Sequence, residues 1–327
     1  MRKYELATSL HFRYDRSEKT PITHEIERLS FCGFKNLDFN FLDMCLNENS
    51  HFMREEGYIE WIAECRKTAD FCGAKFVQAH APCESVLNFH NYESLKNLCI
   101  KAIRGCAELG IPWMVYHVIV DGKYRFGFED DFMSINKRFF SELLPYAKEY
   151  SVGIAIENIV PFNVNSVPSK SIDELIELID SFDSEYVGAC WDFGHANLCN
   201  VIKGAESIAD QSEQLVRLGD RLKATHVHDN NSRQAAAGGI KISEEDYTTE
   251  FYKSFDNHIQ PFMGDIDWAD VINGLDAIDY SHYFTFEAHH AANTLPESIV
   301  NQGLIQLRRV GESIINMSKR LIIQFGR

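Results

Sequence analysis

Polar and hydrophobic positions alternate in eight short runs along this chain, and amphipathic stretches with apolar residues at three- and four-residue spacing lie between them. The runs are YELATSLHF from Tyr4, FKNLDFNF from Phe34, KFVQAHAP from Lys75, PWMVYHVIV from Pro112, GIAIENIV from Gly153, VGACWDFGH from Val187, KATHVHDN from Lys223 and YFTFEAHH from Tyr283. Such runs, bounded by turn residues, predict strands, and the longer-period stretches predict amphipathic helices. Helices are predicted over Tyr58–Cys72, Tyr92–Leu109, Asp131–Tyr150, Ile172–Ile179, Ala205–Leu218 and Trp268–Ile278, with Ser171 and Glu174 spaced as a capping box. Strand–helix alternation without a composition break predicts an α/β fold, and eight repeats predict closure into a (β/α)8 TIM barrel. One domain over residues 1–327 is the simplest reading, with 231–261 inserted after the seventh strand. A last helix, near Pro296 to Ile323, would wrap the barrel bottom or serve a subunit contact in a homo-oligomer.

Composition narrows the class. A chain of 327 residues can bury a large core without staples. Its formal net charge of −16 repels nucleic acid and anionic membranes, and no basic run offsets it. The start MRKYELATSLHF lacks the apolar core of a signal peptide, and no apolar span reaches the roughly 20 residues of a membrane helix. The nine cysteines are scattered and form no C-x-x-C pair, which argues against a disulfide framework or a zinc knuckle. A soluble protein of the reducing cytoplasm is therefore expected.

Chemistry enters at the strand ends. His80 ends the third strand, His117 the fourth, Glu157 the fifth, Asp192 the sixth, His226 the seventh and Glu287 the eighth. The separations are 37, 40, 35, 34 and 61 residues, so only the last departs from one βα repeat, by the insertion. Taken singly, a buried Glu or His is more often a satisfied structural group than a ligand. Six on consecutive strands are harder to explain that way, because a barrel mouth does not tolerate converging carboxylates and imidazoles unless a cation neutralises them. His226 is the expected ligand of the seventh strand. His228 and Asp229 lie one step further out, suited to outer support or substrate contact, and an ordinary hydrogen-bonded loop role for His228 stays equally open. His195 follows Asp192 by one helical turn, and Asp256 with His258 lies in the insertion. Gly264 is expected to permit a tight turn, and Trp268 to pack the following helix onto the barrel.

The ordered motifs QAHAP, YH, IEN, WDFGH, HVHDN, DNH, PFMGDIDW and FEAHH resemble the xylose isomerase-like TIM-barrel superfamily. That superfamily includes sugar phosphate isomerases and epimerases, inositol-catabolism dehydratases and isomerases, and apurinic endonucleases of the endonuclease IV type (AP endonuclease family 2). Similarity to its epimerase branch implies a metal held by Glu157, Asp192, His226 and Glu287, with His195 and, one residue out of register, Arg233 on the substrate. Similarity to the endonuclease branch implies further zinc ligands at His80, His117, His195, Asp256 and His258.

Two reaction classes follow from that resemblance. A sugar isomerase or epimerase would use a divalent ion to polarise a hydroxy-ketone, with Glu157 and Glu287 exchanging protons on opposite faces of an enediolate. His80, His117, His195 and His228 would then contact the carbohydrate. Three carboxylates and one imidazole suit Mn²⁺, Mg²⁺, Co²⁺ or Zn²⁺. A zinc phosphodiesterase would use the same ligands to activate water, but it needs a surface that grips a polyanion, and NNSRQAAAGG supplies little of one. The small-carbohydrate reading is preferred, with a single ion, because the Asp256–His258 pair rides on a long insertion of unguaranteed position. A barrel that keeps the metal and only binds a ligand is a third class, for which no motif speaks.

Overall fold

The computed structural model describes residues 4–10, 21–45, 50–54, 56–83, 91–119, 126–159, 172–202, 210–231, 256–288 and 295–317. All eight strands form where the alternating runs place them: β1 (Glu5–Ser9), β2 (Asn36–Asn40), β3 (Lys75–His80), β4 (Trp113–His117), β5 (Gly153–Glu157), β6 (Val187–Asp192), β7 (Leu222–His226) and β8 (Tyr283–Phe286). Neighbouring strands pair in parallel in the order β7-β6-β5-β4-β3-β2-β1-β8. Val227 and Phe286 bridge the two ends: Val227 N–H donates to Thr285 O at 2.8 Å and Glu287 N–H to Val227 O at 3.1 Å. The ring of strands is thus closed.

Helices run between the strands: α1 (Ile22–Phe31), α2 (Phe41–Cys45), α3 (Tyr58–Phe71), α4 (Tyr92–Leu109), α5 (Phe132–Tyr150), α6 (Ile172–Asp180), α7 (Phe193–Ile202), α8 (Gln211–Leu218), α9 (Trp268–Ala277) and α10 (Val300–Ile315). The predicted helix from Asp131 begins one residue later, because Asp131 is its N-cap and accepts from Ser134 N–H at 2.7 Å. Ser171, half of the predicted capping box, lies outside the described residues. So do 203–209, and the helix expected from Ala205 is described only from Gln211. Helix α10 buries Val300, Leu304, Leu307 and Ile314, and packs on the barrel through Gly311, where a Cβ would lie 2.6 Å from Leu6 and Phe286. No helix among the described residues is long and apolar enough to cross a membrane.

Alternation along the strands divides the barrel interior into levels. Val115, Ala155, Cys190 and Ala224, from β4 to β7, form a small apolar cluster of their own, with Trp113 packed against it. Two residues further along the same strands stand His117, Glu157, Asp192 and His226. On the opposite side the interior is polar: Ser9 Oγ donates to Asp38 at 2.5 Å, and Thr285 Oγ1 to Gln78 Oε1 at 3.2 Å. Burial pushes the Asp38 carboxyl up, against the opposing pull of His226.

Beyond β4 the chain is held by Asn136 of α5. Its side chain accepts from Ile119 N–H at 2.8 Å and donates to Ile119 O at 2.9 Å, inside the core. Replacing Asn136 by Ala removes both of these hydrogen bonds to buried backbone groups, and losing each costs about 1–3 kcal/mol. Urea unfolding of Asn136→Ala is expected to show a loss of about 2–4 kcal/mol, and a loss below about 0.5 would mean that the β4 end is held by other contacts.

Candidate functional site

The mouth at the carboxyl ends of the strands gathers the ionisable residues of β3 to β8. Glu157, Asp192 and His226 are fully buried, and Glu287 nearly so. One ligand atom from each of these four lies within 4.8 Å of the others. His226 Nδ1 sits 3.2 Å from Glu157 Oε1 and 3.3 Å from Glu287 Oε2, so carboxylates from β5 and from beyond β8 converge on one nitrogen. Two further groups adjoin this one. His80 Nε2 and His117 Nε2 lie 3.1 Å apart, at 3.6 and 3.5 Å from Glu157 Oε2. Around Asp256 stand His195 Nε2 at 3.6 Å, His258 Nε2 at 3.3 Å and His228 Nε2 at 3.9 Å.

Local structure explains the aim of each side chain. The sixth strand stops at Asp192 because Asp192 Oδ1 accepts from His195 N–H at 2.6 Å, which caps α7 and turns WDFGH directly into a helix. Asn158, next to Glu157, brackets the same residue: its Oδ1 accepts from Asp192 N–H at 2.7 Å and its Nδ2 donates to Asp192 O at 2.9 Å. Three imidazoles engage a backbone carbonyl through Nδ1: His80 with Ala81 O at 2.8 Å, His195 with Asn158 O at 3.0 Å and His258 with Glu287 O at 2.8 Å. A carbonyl can only accept, so Nδ1 carries the proton, and Nε2 of the neutral ring keeps its lone pair toward the cluster.

Burial alone would raise the Glu157 carboxyl, but the imidazoles of His226, His117 and His195 beside it hold it well below the usual range. His195 is buried too, which favours its neutral form, yet Asp192 and Asp256 hold it well above the ordinary imidazole value. Desolvation prevails at His117, lowering it to about 3. Several buried atoms nevertheless lack a hydrogen-bond partner: both oxygens of Glu157, Asp192 Oδ2, both ring nitrogens of His226 and of His228, and Asp256 Oδ1. Carboxylate and imidazole donors left over in this number fit a divalent cation, which satisfies them without protons.

His228 is fully buried and stacks face to face on His258, ring centroids 3.7 Å apart and planes 8° from parallel, with its Nε2 3.1 Å from Asp192 Oδ1. Gly194 makes this possible, since a Cβ there would lie 1.9 Å from His228 Cε1. The ring thus supports His258 and Asp192, and one of its nitrogens lies within 4.8 Å of ligand atoms of His195, Asp256 and His258. Arg233 falls outside the described residues, as does most of the insertion. The pair Asp256 and His258 is not loosely placed: Asp229 and Ile259 form an antiparallel bridge that ties this arm to the end of β7. Gly264 has no left-handed backbone, and glycine is needed there because a Cβ would lie 2.3 Å from Asn230 O and Asp229 Oδ1. Trp268 packs α9 as expected and also donates from Nε1 to Asp229 Oδ2 at 2.9 Å. Sequence reasoning missed Asn158; the only signal for it was its place beside Glu157 in IEN.

Comparison with known proteins agrees with this architecture. Uncharacterized protein y4fM of Sinorhizobium fredii is 29% identical over 195 residues, which cover 59% of this chain and 52% of that protein, about half its length. Uncharacterized protein MJ1311 of Methanocaldococcus jannaschii is 23% identical over 244 residues, 73% of this chain and 72% of that protein. The solved structure of a D-tagatose 3-epimerase-like protein is similar in fold, with a TM-score of 0.65 at 19% identity over 98% of both chains. The family profile described as xylose isomerase-like TIM barrel matches residues 34–309, from before β2 to beyond β8. This chain belongs to the xylose isomerase-like TIM barrel family.

Proposed function

We propose that the protein is a divalent-metal-dependent sugar isomerase or epimerase acting on a ketose or related polyol. The observation that carries this reading is the approach of Glu157 and Glu287 to one nitrogen, His226 Nδ1, at 3.2 and 3.3 Å inside a buried mouth. When bound by Glu157, Asp192, His226 and Glu287, a Mn²⁺, Mg²⁺, Co²⁺ or Zn²⁺ ion would polarise a substrate carbonyl and acidify the neighbouring C–H. Glu157 and Glu287 then act as the acid/base pair: one takes the proton from the carbon, and the other returns a proton from the opposite face. Asp192 and His226 hold the ion, and Asn158 fixes Asp192. His80 and His117 surround the same space and would orient hydroxyl groups. One solved structure similar in fold is described as a D-tagatose 3-epimerase-like protein, which supports the substrate class.

A second reading, hydrolysis of a phosphodiester by an endonuclease IV-like zinc cluster, is favoured by one observation. His80 and His117 group with Glu157, and His195 and His258 group with Asp256, so donors for further ions adjoin the first set. A net charge of −16 works against a polyanionic substrate.

Deuterated water separates the two readings. With metal and the true ketose, the carbon beside the carbonyl is expected to gain deuterium, and Glu287→Gln is expected to lose net epimerisation by at least about 100-fold while retaining part of the exchange. Metal-dependent cleavage of an abasic duplex, with no exchange into ketoses or inositol-derived ketones, would overturn the isomerase reading.

A pH dependence follows from His258. Burial favours its neutral form, but Asp256 beside it holds the imidazole at about 9. Because this lies above the unfolded value of about 6.5, the charged ring stabilises metal-free protein fully below pH about 6.5, and this contribution is lost as pH rises through about 9. In the second reading a cation held by Asp256 and His258 would displace that proton. Zinc affinity of chelator-stripped protein is therefore expected to climb from pH 6.5 to 9 with net proton release, read by calorimetry in buffers of different ionisation enthalpy. A flat profile would mean that His258 is not displaced from its proton by the ion.

A further inference from the structure

Four donors, none of them an ionisable group of the mouth, meet the Asp229 carboxylate. Oδ1 accepts from Asn230 N–H at 2.9 Å and Ile266 N–H at 3.2 Å, and Oδ2 from Phe262 N–H and Trp268 Nε1, both at 2.9 Å. Its backbone exchanges hydrogen bonds with Ile259 in both directions, at 2.8 and 3.1 Å. Asn230 continues the clasp: its carbonyl accepts from Asp265 N–H at 2.9 Å, and its side chain accepts from Asn197 Nδ2 at 2.7 Å. Segment 259–268 is thereby wrapped around one buried carboxylate, and His258 is the residue immediately before it. His258 holds a left-handed backbone, φ +41°, which a non-glycine residue adopts at a cost and keeps only when its surroundings impose it.

We propose that Asp229 is a positioning residue for a second divalent-ion site formed by His195, Asp256 and His258, and that it governs that site without governing the first. The inference rests on reading the mouth as a metal centre. The first set, Glu157, Asp192, His226 and Glu287, is carried on strand ends and does not need the clasp. Among the described residues, no strand carries Asp256 or His258. Their aim depends on the bridge between Asp229 and Ile259, on the turn closed over the Asp229 carboxylate, and on the His258 contact with Glu287 O. In Asp229→Asn an amide N–H₂ replaces one acceptor and confronts N–H donors, so the turn must open while the barrel keeps its shape.

The test is zinc and manganese titration, by calorimetry and by elemental analysis after desalting, of wild type, Asp229→Asn and Trp268→Phe. Wild type is expected to take up a first and a second ion. Asp229→Asn is expected to keep the first affinity within about threefold and to weaken the second by about 10–100-fold, the usual effect of losing an outer support of a metal ligand. Trp268→Phe, which removes one of four donors, is expected to weaken only the second, by a smaller factor, and it decides the question if Asp229→Asn does not fold. A second affinity unchanged in both variants, equal weakening of both ions, or a single ion in wild type overturns the proposal. Wild type that binds no ion at all overturns instead the metal reading on which it rests.

Discussion

Everything at the mouth of this barrel answers to one constraint: carboxylates and imidazoles are buried together with little water to screen them. Two like charges 4 Å apart oppose one another by about 4 kcal/mol at an effective dielectric of 20. Glu157, Asp192 and Glu287 share that space, and Asp256 stands just beside it. Neutralisation must therefore come from the imidazoles interleaved with them, either as protonated rings or as neutral ligands of a cation. The raised proton affinities of His195 and His226 and the depressed one of Glu157 are the first solution. A divalent ion would be the second, and it would also satisfy the buried atoms that lack hydrogen-bond partners. Both solutions require the rings to be held in register, which explains why His80, His195 and His258 each engage a fixed backbone carbonyl through Nδ1.

The supporting structure divides by how it meets that requirement. Strands carry Glu157, Asp192 and His226 on a level set by the period of two, above the small side chains of Ala155, Cys190 and Ala224. Small residues below leave the bulk of the interior to the polar level above. Asp192 joins two jobs, capping α7 through Oδ1 and offering Oδ2 to the cluster, so the helix start and the site geometry cannot vary separately. His228 joins two others, facing Asp192 while its ring stacks on His258.

Much of this was legible in the sequence because it is periodic. Alternation placed all eight strands, and the repeat spacing picked out His80, His117, Glu157, Asp192, His226 and Glu287 without reference to contacts. Helix α4 was predicted with both its ends, Tyr92 and Leu109. Helix α1 was overlooked although Ile22, Ile26 and Leu29 carry its buried stripe and Pro21 marks its start. The start of α7 was hidden inside a strand-like run, because only the cap on Asp192 reveals where the strand ends. The clasp around Asp229 was not legible at all. Its donors come from Asn230, Phe262, Ile266 and Trp268, a combination that no period encodes. For the same reason the arm bearing Asp256 and His258 read as a loose insertion, whereas Ile259 is bonded to Asp229 in both directions and His258 to Glu287 O.

Sharing of ligands decides how ions at this mouth would influence one another. Glu157 offers Oε2 to His80 and His117 and Oε1 to His195 and His226, so one carboxylate lies between positions that would otherwise hold like charges side by side. Charge at one position lowers the cost of ionising Glu157 and raises the cost of a second cation nearby. These effects oppose each other through the same group, and the balance turns on how firmly the other donors are held. The donors at the strand ends are fixed by the sheet, while those around Asp256 are fixed by a turn. In physical terms, then, the strand ends fix the donors that would hold a first cation, and the turn closed over Asp229 fixes those that would hold a second.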